Sequence, residues 1–134
     1  FIHTHKCFSD KQTCLNWMID HLEKKKIVTA EFRKDVLDRE AIGETALATG
    51  VAIPHAAPRN VLQSKIAIVT LKQPIIWDQR KVQYVLLMCI AKSDRKLVRG
   101  VITDIHKIVQ SEKQLNRFFS EKEAIEIYHD IVRR

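Results

Sequence analysis

The chain has 134 residues, of which 46% are hydrophobic and 29% charged, and its formal net charge is +7 at pH 7. This composition is ordinary for a globular protein, and the length suits one domain that buries a core. No apolar run approaches the roughly 18 residues of a membrane span, and no signal-peptide pattern is present. We therefore expect a cytoplasmic domain without membrane insertion.

The N-terminal third predicts two helices. The chain starts with Phe rather than Met, and we expect residues 1–8 to be a disordered or linker segment of a longer polypeptide. Ser9 is a candidate cap for a first helix, which the basic run 24–26 closes. The apolar stripe of that helix is Leu15, Met18, Ile19 and Leu22. Thr29 is a candidate cap for a second helix, which should end before Gly43.

The basic residues are spread along the chain, and Lys24-Lys25-Lys26 is their only run. No aromatic interleaving or nucleic-acid motif accompanies that run, so we expect no direct nucleic-acid contact by this domain. The three cysteines, Cys7, Cys14 and Cys89, lack metal spacing and are expected to be reduced, with Cys89 in the core. A Cys7–Cys14 disulfide is the less favoured alternative.

The central stretch 50–56 reads Gly-Val-Ala-Ile-Pro-His-Ala and predicts a short buried strand that ends in a rigid bend. Pro54 lacks an N–H and fixes its own φ, so the strand should stop there. His55 follows at once, in a place suited to holding one imidazole in a fixed direction. A neutral imidazole can attack a phosphoryl or acyl group. The alternative is a structural histidine with a satisfied ring.

Two further strands are predicted after a turn at residues 58–60. One covers residues 65–71 and is broken by Pro74, and the other is the apolar run 84–91, which should be buried on both faces. Helical spacing returns after Asp94 and continues to the C-terminus. Helices on both sides of a block of strands indicate an α/β single domain.

The common site chemistries are missing from the sequence. Three glycines cannot build a P-loop or a dinucleotide fingerprint, and neither a zinc-ligand pattern nor a Gly-x-Ser-x-Gly elbow occurs. We expect no cofactor and no metal. The strand-end histidine is the feature that remains.

The stretch from Arg39-Glu40 through Thr45 to Ala52-Ile53-Pro54-His55 resembles the enzyme IIA domain of the mannitol/fructose phosphotransferase family. Residues 64–77 and the apolar strand to Ala91 also follow that pattern, and the likeness covers residues 9–134. The resemblance implies a mixed β-sheet sandwiched between helices. It also implies that His55 accepts a phosphoryl group on Nε2 from the phosphocarrier protein HPr. Arg39 matches the family's active-site arginine, and Thr45 a threonine near the site.

Two features depart from transport members of that family, namely the basic charge and the lack of a second histidine opening the helix after the buried strand. Lys96 or Arg99 is a candidate substitute, and His106 lies farther into that helix. Both departures favour the IIA-like domain of a transcriptional regulator or antiterminator, where the phosphate acts as a signal. Two alternatives stay open: a transport enzyme IIA that passes phosphate to a sugar permease IIB domain, and a non-enzymatic basic binding module with a structural His55.

Overall fold

The structure, a computed structural model, describes residues 2–43, 45–47 and 50–94, with backbone alone for residues 2–5. The helices and strands in chain order are β1 (Ile2–Lys6), α1 (Lys11–Lys24), α2 (Phe32–Ile42), β2 (Val51–Ala52), β3 (Lys65–Trp77) and β4 (Arg80–Cys89). Single turns of 3-10 helix cover Pro58–Asn60 and Lys92–Asp94. The helices predicted after Asp94 lie outside the described residues.

The four strands form one mixed sheet in the order β1-β3-β4-β2. β3 and β4 are an antiparallel hairpin, whereas β1 pairs parallel with β3 and β2 pairs parallel with β4. Asp78 makes the tight turn of the hairpin with a φ of 58°, a left-handed conformation that aspartate tolerates better than most residues. The mixed sheet and the α/β class implied by the resemblance are confirmed.

One face of the sheet packs against α1. This packing follows from the hydrophobic pattern, which repeats about every 3.6 residues along the helix and every second residue along the strands. The apolar stripe of α1 is fully buried: Leu15, Met18, Ile19 and Leu22. It shares a core cluster with alternate residues of the hairpin: Ala67, Val69, Leu71, Val85 and Leu87. The other face is also buried at Ile68, Leu86 and Met88, as predicted for a strand covered on both sides.

The interpretation of residues 1–8 as a disordered or linker segment is wrong for Ile2–Lys6, because these residues form β1. Ile2 and His3 lie opposite Ile68 and Val69 of β3. A strand of five residues has too little pattern of its own to be recognised, and it is held by backbone bonds to a neighbour far along the chain.

Both helix starts differ from the expected caps. Asp10, rather than Ser9, caps α1, since its carboxylate accepts a hydrogen bond of 2.8 Å from the Thr13 backbone N–H. At α2 the Thr29 carbonyl, not its hydroxyl, accepts from the Phe32 N–H at 3.1 Å, and the helix begins without a side-chain cap. Serine and aspartate both favour the cap position, so the sequence alone does not choose between neighbours.

Pro74 does not end β3, which continues to Trp77. The pairing with β4 shifts between Thr70 and Ile75, so that four residues of β3, 71–74, lie opposite one residue of β4, Gln83. Pro74 is exposed within this irregular stretch, where a missing N–H removes no ladder hydrogen bond.

Candidate functional site

His55 lies three residues beyond the end of the edge strand β2, and its side chain is exposed. β2 itself ends at Ala52, but the chain stays beside β4 for three more residues. Although Pro54 has no N–H to donate, its carbonyl accepts from the Met88 N–H at 2.9 Å, and His55 pairs with Met88 in an isolated parallel bridge. The backbone carrying the imidazole is therefore fixed to a central strand.

The ring of His55 is oriented by its own neighbour, since Nδ1 lies 3.0 Å from the Ile53 carbonyl oxygen. A carbonyl oxygen can only accept a hydrogen bond, so Nδ1 must carry the proton and donate it. In the neutral ring the free lone pair is then on Nε2. This arrangement leaves Nε2 as the nucleophilic atom of an exposed side chain.

Thr45 is buried and is joined to His55 through Ile53. The Thr45 carbonyl accepts from the Ile53 N–H at 3.1 Å, and the Ile53 carbonyl is the acceptor for the imidazole. Ala46 lies opposite Ala52 in an isolated antiparallel bridge, and Gly50, just before β2, has a φ of 90°, which favours glycine. Two of the predicted site residues are thus brought together.

Arg39 lies in the last turn of α2 and is half-buried. Its Nη1 donates to the Gly43 carbonyl oxygen at 3.1 Å, so the guanidinium satisfies a carbonyl at the helix C-terminus. Among the described residues, no hydrogen bond or ion pair joins Arg39 to His55. The positions of Lys96, Arg99 and His106 lie outside the described part of the chain.

Sequence reasoning missed Glu40 as a member of the site. Its buried carboxylate accepts from the Thr45 hydroxyl at 2.5 Å and lies 2.9 Å from the Lys11 ammonium. Burial lowers the pKa of Lys11, but the hydrogen bonds to Asp78 and Glu40 outweigh it and the pKa is raised. The sequence signal for Glu40 was its place beside Arg39 in the Arg-Glu pair of the family pattern. Asp78, which also binds Lys11, is distant in sequence, and no sequence pattern connected it with these residues.

A second set of contacts fixes the turn that follows His55. Asp35 of α2 is buried and accepts hydrogen bonds from the guanidinium of Arg59 and, at 2.6 Å, from the side-chain amide of Asn60. The hydrogen bond from Arg59 is the main reason that the pKa of Asp35 lies below its ordinary value, and Asn60 adds to it. The predicted turn at Pro58–Asn60 is thereby tied to the helix that carries Arg39.

The remaining sequence predictions concern cysteines, metals and membranes. Cys14 and Cys89 are buried and Cys7 is exposed, and all three are free thiols. Burial raises the pKa of both Cys14 and Cys89 to about 12. Within residues 2–43, 45–47 and 50–94, we find neither a group of three potential metal ligands nor a helix long and apolar enough to cross a membrane.

The described residues form a small α/β domain, in which helices pack against a mixed sheet. An exposed histidine lies just beyond the edge strand of that sheet. The chain belongs to the family described as phosphoenolpyruvate-dependent sugar phosphotransferase system, EIIA 2, whose model matches residues 1–133. The family membership suggested by the sequence is thus confirmed, and the match includes the segment that forms β1.

Relatives in sequence include two regulators and a phosphotransfer protein. The chain is 31% identical over 90 residues to the transcriptional regulator ManR of Bacillus subtilis (strain 168), covering 60% of this chain and 14% of ManR. It is 28% identical over 87 residues to the probable licABCH operon regulator of the same strain, covering 65% and 14%. With a multiphosphoryl transfer protein of Vibrio cholerae serotype O1 it shares 27% over 108 residues, covering 78% and 26%. The chain spans about a quarter of these relatives or less.

Solved structures of similar fold include the nitrogen regulatory protein IIA-Ntr of Neisseria meningitidis. The TM-score is 0.81 at 19% identity, with 97% of this chain and 91% of that one covered. The complex of enzyme IIAMTL and phosphorylated enzyme IIBMTL from Escherichia coli gives 0.78 at 17% identity, covering 99% and 94%. At these identities the likeness shows the fold alone, and that fold is the one described above.

Proposed function

We propose that this domain accepts a phosphoryl group on Nε2 of His55 from phospho-HPr, and that it does so as the IIA-like domain of a transcriptional regulator or antiterminator. The observation that carries the proposal is the ring of His55. Its side chain is exposed, and its Nδ1 is occupied by the Ile53 carbonyl at 3.0 Å. The nitrogen left for attack is the one on which the family carries its phosphate.

The transfer needs placement and charge stabilisation rather than covalent help from other side chains. The Nε2 lone pair attacks phosphorus in line with the leaving imidazole of HPr, so that one P–N bond forms as the other breaks. The leaving imidazole keeps the electron pair of the broken bond. The Nδ1 proton stays on the His55 ring, donated to the Ile53 carbonyl throughout.

Arg39 is the proposed partner of the phosphoryl oxygens. Its guanidinium now satisfies one backbone carbonyl, that of Gly43, at the exposed end of α2. Arginine forms short, strong bonds to phosphoryl oxygens because both partners are charged. On phosphorylation the guanidinium exchanges a neutral acceptor for a charged one.

The regulatory assignment is favoured by two relatives, ManR and the licABCH operon regulator, of which the matched region is a small part. A phosphoryl group adds roughly 1.5 to 2 negative charges, enough to reorder an interface within a longer polypeptide. The competing assignment is a carrier that passes its phosphate on, and the similarity to a multiphosphoryl transfer protein of Vibrio cholerae favours it.

The test of the site is phosphorylation with labelled phosphoenolpyruvate, enzyme I and HPr. Wild type should gain acid-labile phosphate, and His55→Ala should gain none. His21→Gln is the matched control, because the Nδ1 of His21 also lies 2.9 Å from a backbone carbonyl, that of Trp17, and it should label normally. Labelling of H55A at the wild-type level would refute the site. An unlabelled wild type would favour the basic binding module with a structural His55.

The test of the regulatory assignment is a chase. The purified phosphorylated domain is mixed with a sugar permease IIB domain, and the label on each protein is followed. A regulator should keep its phosphate for as long as the phosphorylated domain incubated without the IIB domain, which loses phosphate by hydrolysis alone. Rapid transfer to a cysteine or histidine of the IIB domain would instead identify a transport carrier.

A further inference from the structure

Three elements that lie apart in sequence meet at one buried carboxylate. Glu40 of α2 has a side chain that is 4% exposed, and it lies 2.9 Å from Lys11 at the start of α1. Lys11 in turn binds both carboxylate oxygens of Asp78, at 3.0 and 2.9 Å, in the turn between β3 and β4. On its other oxygen Glu40 accepts from the Thr45 hydroxyl.

We propose that Glu40 is a positioning residue for His55, which acts through the Thr45 hydroxyl and the Ile53 backbone to set the tautomer and direction of the imidazole. The proposal deepens the proposed function, because the consequence for phosphoryl transfer rests on His55 as the acceptor. The effect on the ring itself does not depend on that assignment.

The path from carboxylate to ring has no gap. Glu40 holds the Thr45 side chain at 2.5 Å, and the Thr45 carbonyl holds the Ile53 N–H at 3.1 Å. The carbonyl of that same Ile53 accepts the imidazole N–H at 3.0 Å. A shift of Thr45 therefore changes the direction of the one acceptor that selects the Nδ1–H tautomer.

The burial of Glu40 makes this arrangement stiff. A buried carboxylate is costly unless it is paired and hydrogen-bonded, and here Lys11 supplies the charge and Thr45 the hydrogen bond. Removing the Thr45 hydroxyl leaves the carboxylate short of a donor, which penalises the native position of Thr45 and of the carbonyl that binds Ile53. The ion pair from Arg59 to Asp35, by comparison, fixes the turn after His55 without contacting the carbonyl that accepts from the ring.

The experiment uses Thr45→Val, which keeps the side-chain shape and removes the hydroxyl, Thr45→Ser, which retains it, and Glu40→Leu. The first readout is the pair of ¹⁵N chemical shifts of the His55 ring, which report the tautomer without any phosphate donor. Wild type and T45S should be mainly Nδ1–H, whereas T45V and E40L should be mixtures. The second readout is the initial rate of phosphoryl uptake, which should fall about tenfold to a hundredfold in T45V.

Arg33→Gln is the control for a merely structural effect. Arg33 of α2 forms an ion-pair cluster with Asp20 and Glu23 of α1, and within the described part of the chain no hydrogen bond or ion pair joins it to Thr45. Its loss should therefore destabilise the helix pair without breaking the path from Glu40 to His55. R33Q should keep the wild-type tautomer. The double variant E40L/T45V should be no worse than either single variant, because both break one path.

A wild-type tautomer and rate in T45V would overturn the proposal, as would an equal change in R33Q. If E40L does not fold, the isosteric T45V decides alone. Should wild type take up no phosphate while T45V still shifts the tautomer, the proposed function fails and the positioning role stands. If wild type takes up phosphate normally and the His55 tautomer in T45V is unchanged, the proposed function stands and the positioning role of Glu40 fails.

Discussion

At the scale of single residues, Arg39 combines a contact seen in the structure, with the Gly43 carbonyl, and a proposed role in binding the phosphoryl group. Arg39 is placed by the helix that carries it, and its guanidinium already has a use in satisfying the Gly43 carbonyl. Because this contact involves one backbone carbonyl at the exposed helix end, we expect its loss to leave the fold intact, so that removal of Arg39 reports on the proposed role. Its neighbour Glu40 points into the core, since adjacent residues of a helix lie about 100° apart around the axis.

Arg39→Ala is expected to slow phosphoryl uptake by His55 while the fold stays intact. We expect a loss of about a hundredfold, the cost typical of removing one stabilising donor from developing charge. The measurement is the initial rate of labelling by phospho-HPr, with circular dichroism as the check on folding.

Arg39→Lys is the companion variant. It keeps the positive charge but loses the planar fork, so its rate should lie between those of wild type and R39A. An unchanged rate in R39A would return Arg39 to the role of a helix-end residue and nothing more.

At the scale of elements, α2 organises the site. It contributes Asp35 to the turn after His55, Glu40 to the segment before it, and Arg39 at its own end. Because a helix is rigid, the contacts of Asp35 and Glu40 hold the chain on both sides of β2 to the same helix. The helix is therefore important for the site although it does not carry the histidine.

Asp35→Asn tests the contact on the C-terminal side. At pH 7 it should lower the free energy of unfolding by about 1 kcal/mol, which is less than is typical for a hydrogen bond to a charged group because the Arg59 partner is exposed and screened. Urea unfolding measures the loss.

The pH dependence of that loss follows from the sign of the shift. The pKa of Asp35 is lowered in the folded protein, chiefly by Arg59, so its contribution is present above the ordinary value near 3.9. It is lost as the pH falls through the lower folded pKa. The difference between wild type and D35N should therefore shrink in strong acid, and a constant difference would exclude the ion pair as its cause. Asp38→Asn, which removes the exposed Lys34–Asp38 ion pair and a weaker charge interaction with Arg59, should change the free energy of unfolding little at any pH.

At the scale of the whole molecule, β1 decides whether the sheet has three or four strands. β1 lies at one edge of the sheet, beside β3, and β2 lies at the other edge, beside β4 and close to the site. An uncovered edge offers unpaired N–H and C=O groups to other chains. The N-terminal strand is therefore part of the domain rather than a linker that leads to it.

Deleting residues 1–6 should destabilise the domain on the order of 2–3 kcal/mol, the sum expected for losing a few strand hydrogen bonds. Urea unfolding should show a lower midpoint, and light scattering should show association through the exposed edge of β3. Replacing the same residues with a Gly/Ser stretch separates pairing from mere length. An unchanged midpoint would mean that the segment behaves as a linker after all.

The extent of prediction from sequence differs between elements. The α1 stripe and the run 84–91 were recognised because hydrophobic period is a local property, repeated over enough residues to be distinctive. The cap at Asp10 and the passage of β3 through Pro74 were missed. Ser9 and Asp10 could serve equally well as the cap, and the surrounding fold selected Asp10. Pro74 is tolerated within β3 because the pairing with β4 is irregular there, and the local sequence does not reveal that irregularity.

The sequence by itself determined the α/β class, the two helices, the strands around residues 65–71 and 84–91 and the family, and it singled out His55 through the order of residues on either side of Pro54. Only the tertiary structure decided that Ile2–Lys6 is a strand, and that Lys11, Glu40 and Asp78 meet behind Thr45. The physical reason is range. Periodicity and turn chemistry act between residues a few positions apart, whereas strand pairing and buried ion pairs join residues whose separation along the chain carries no signal.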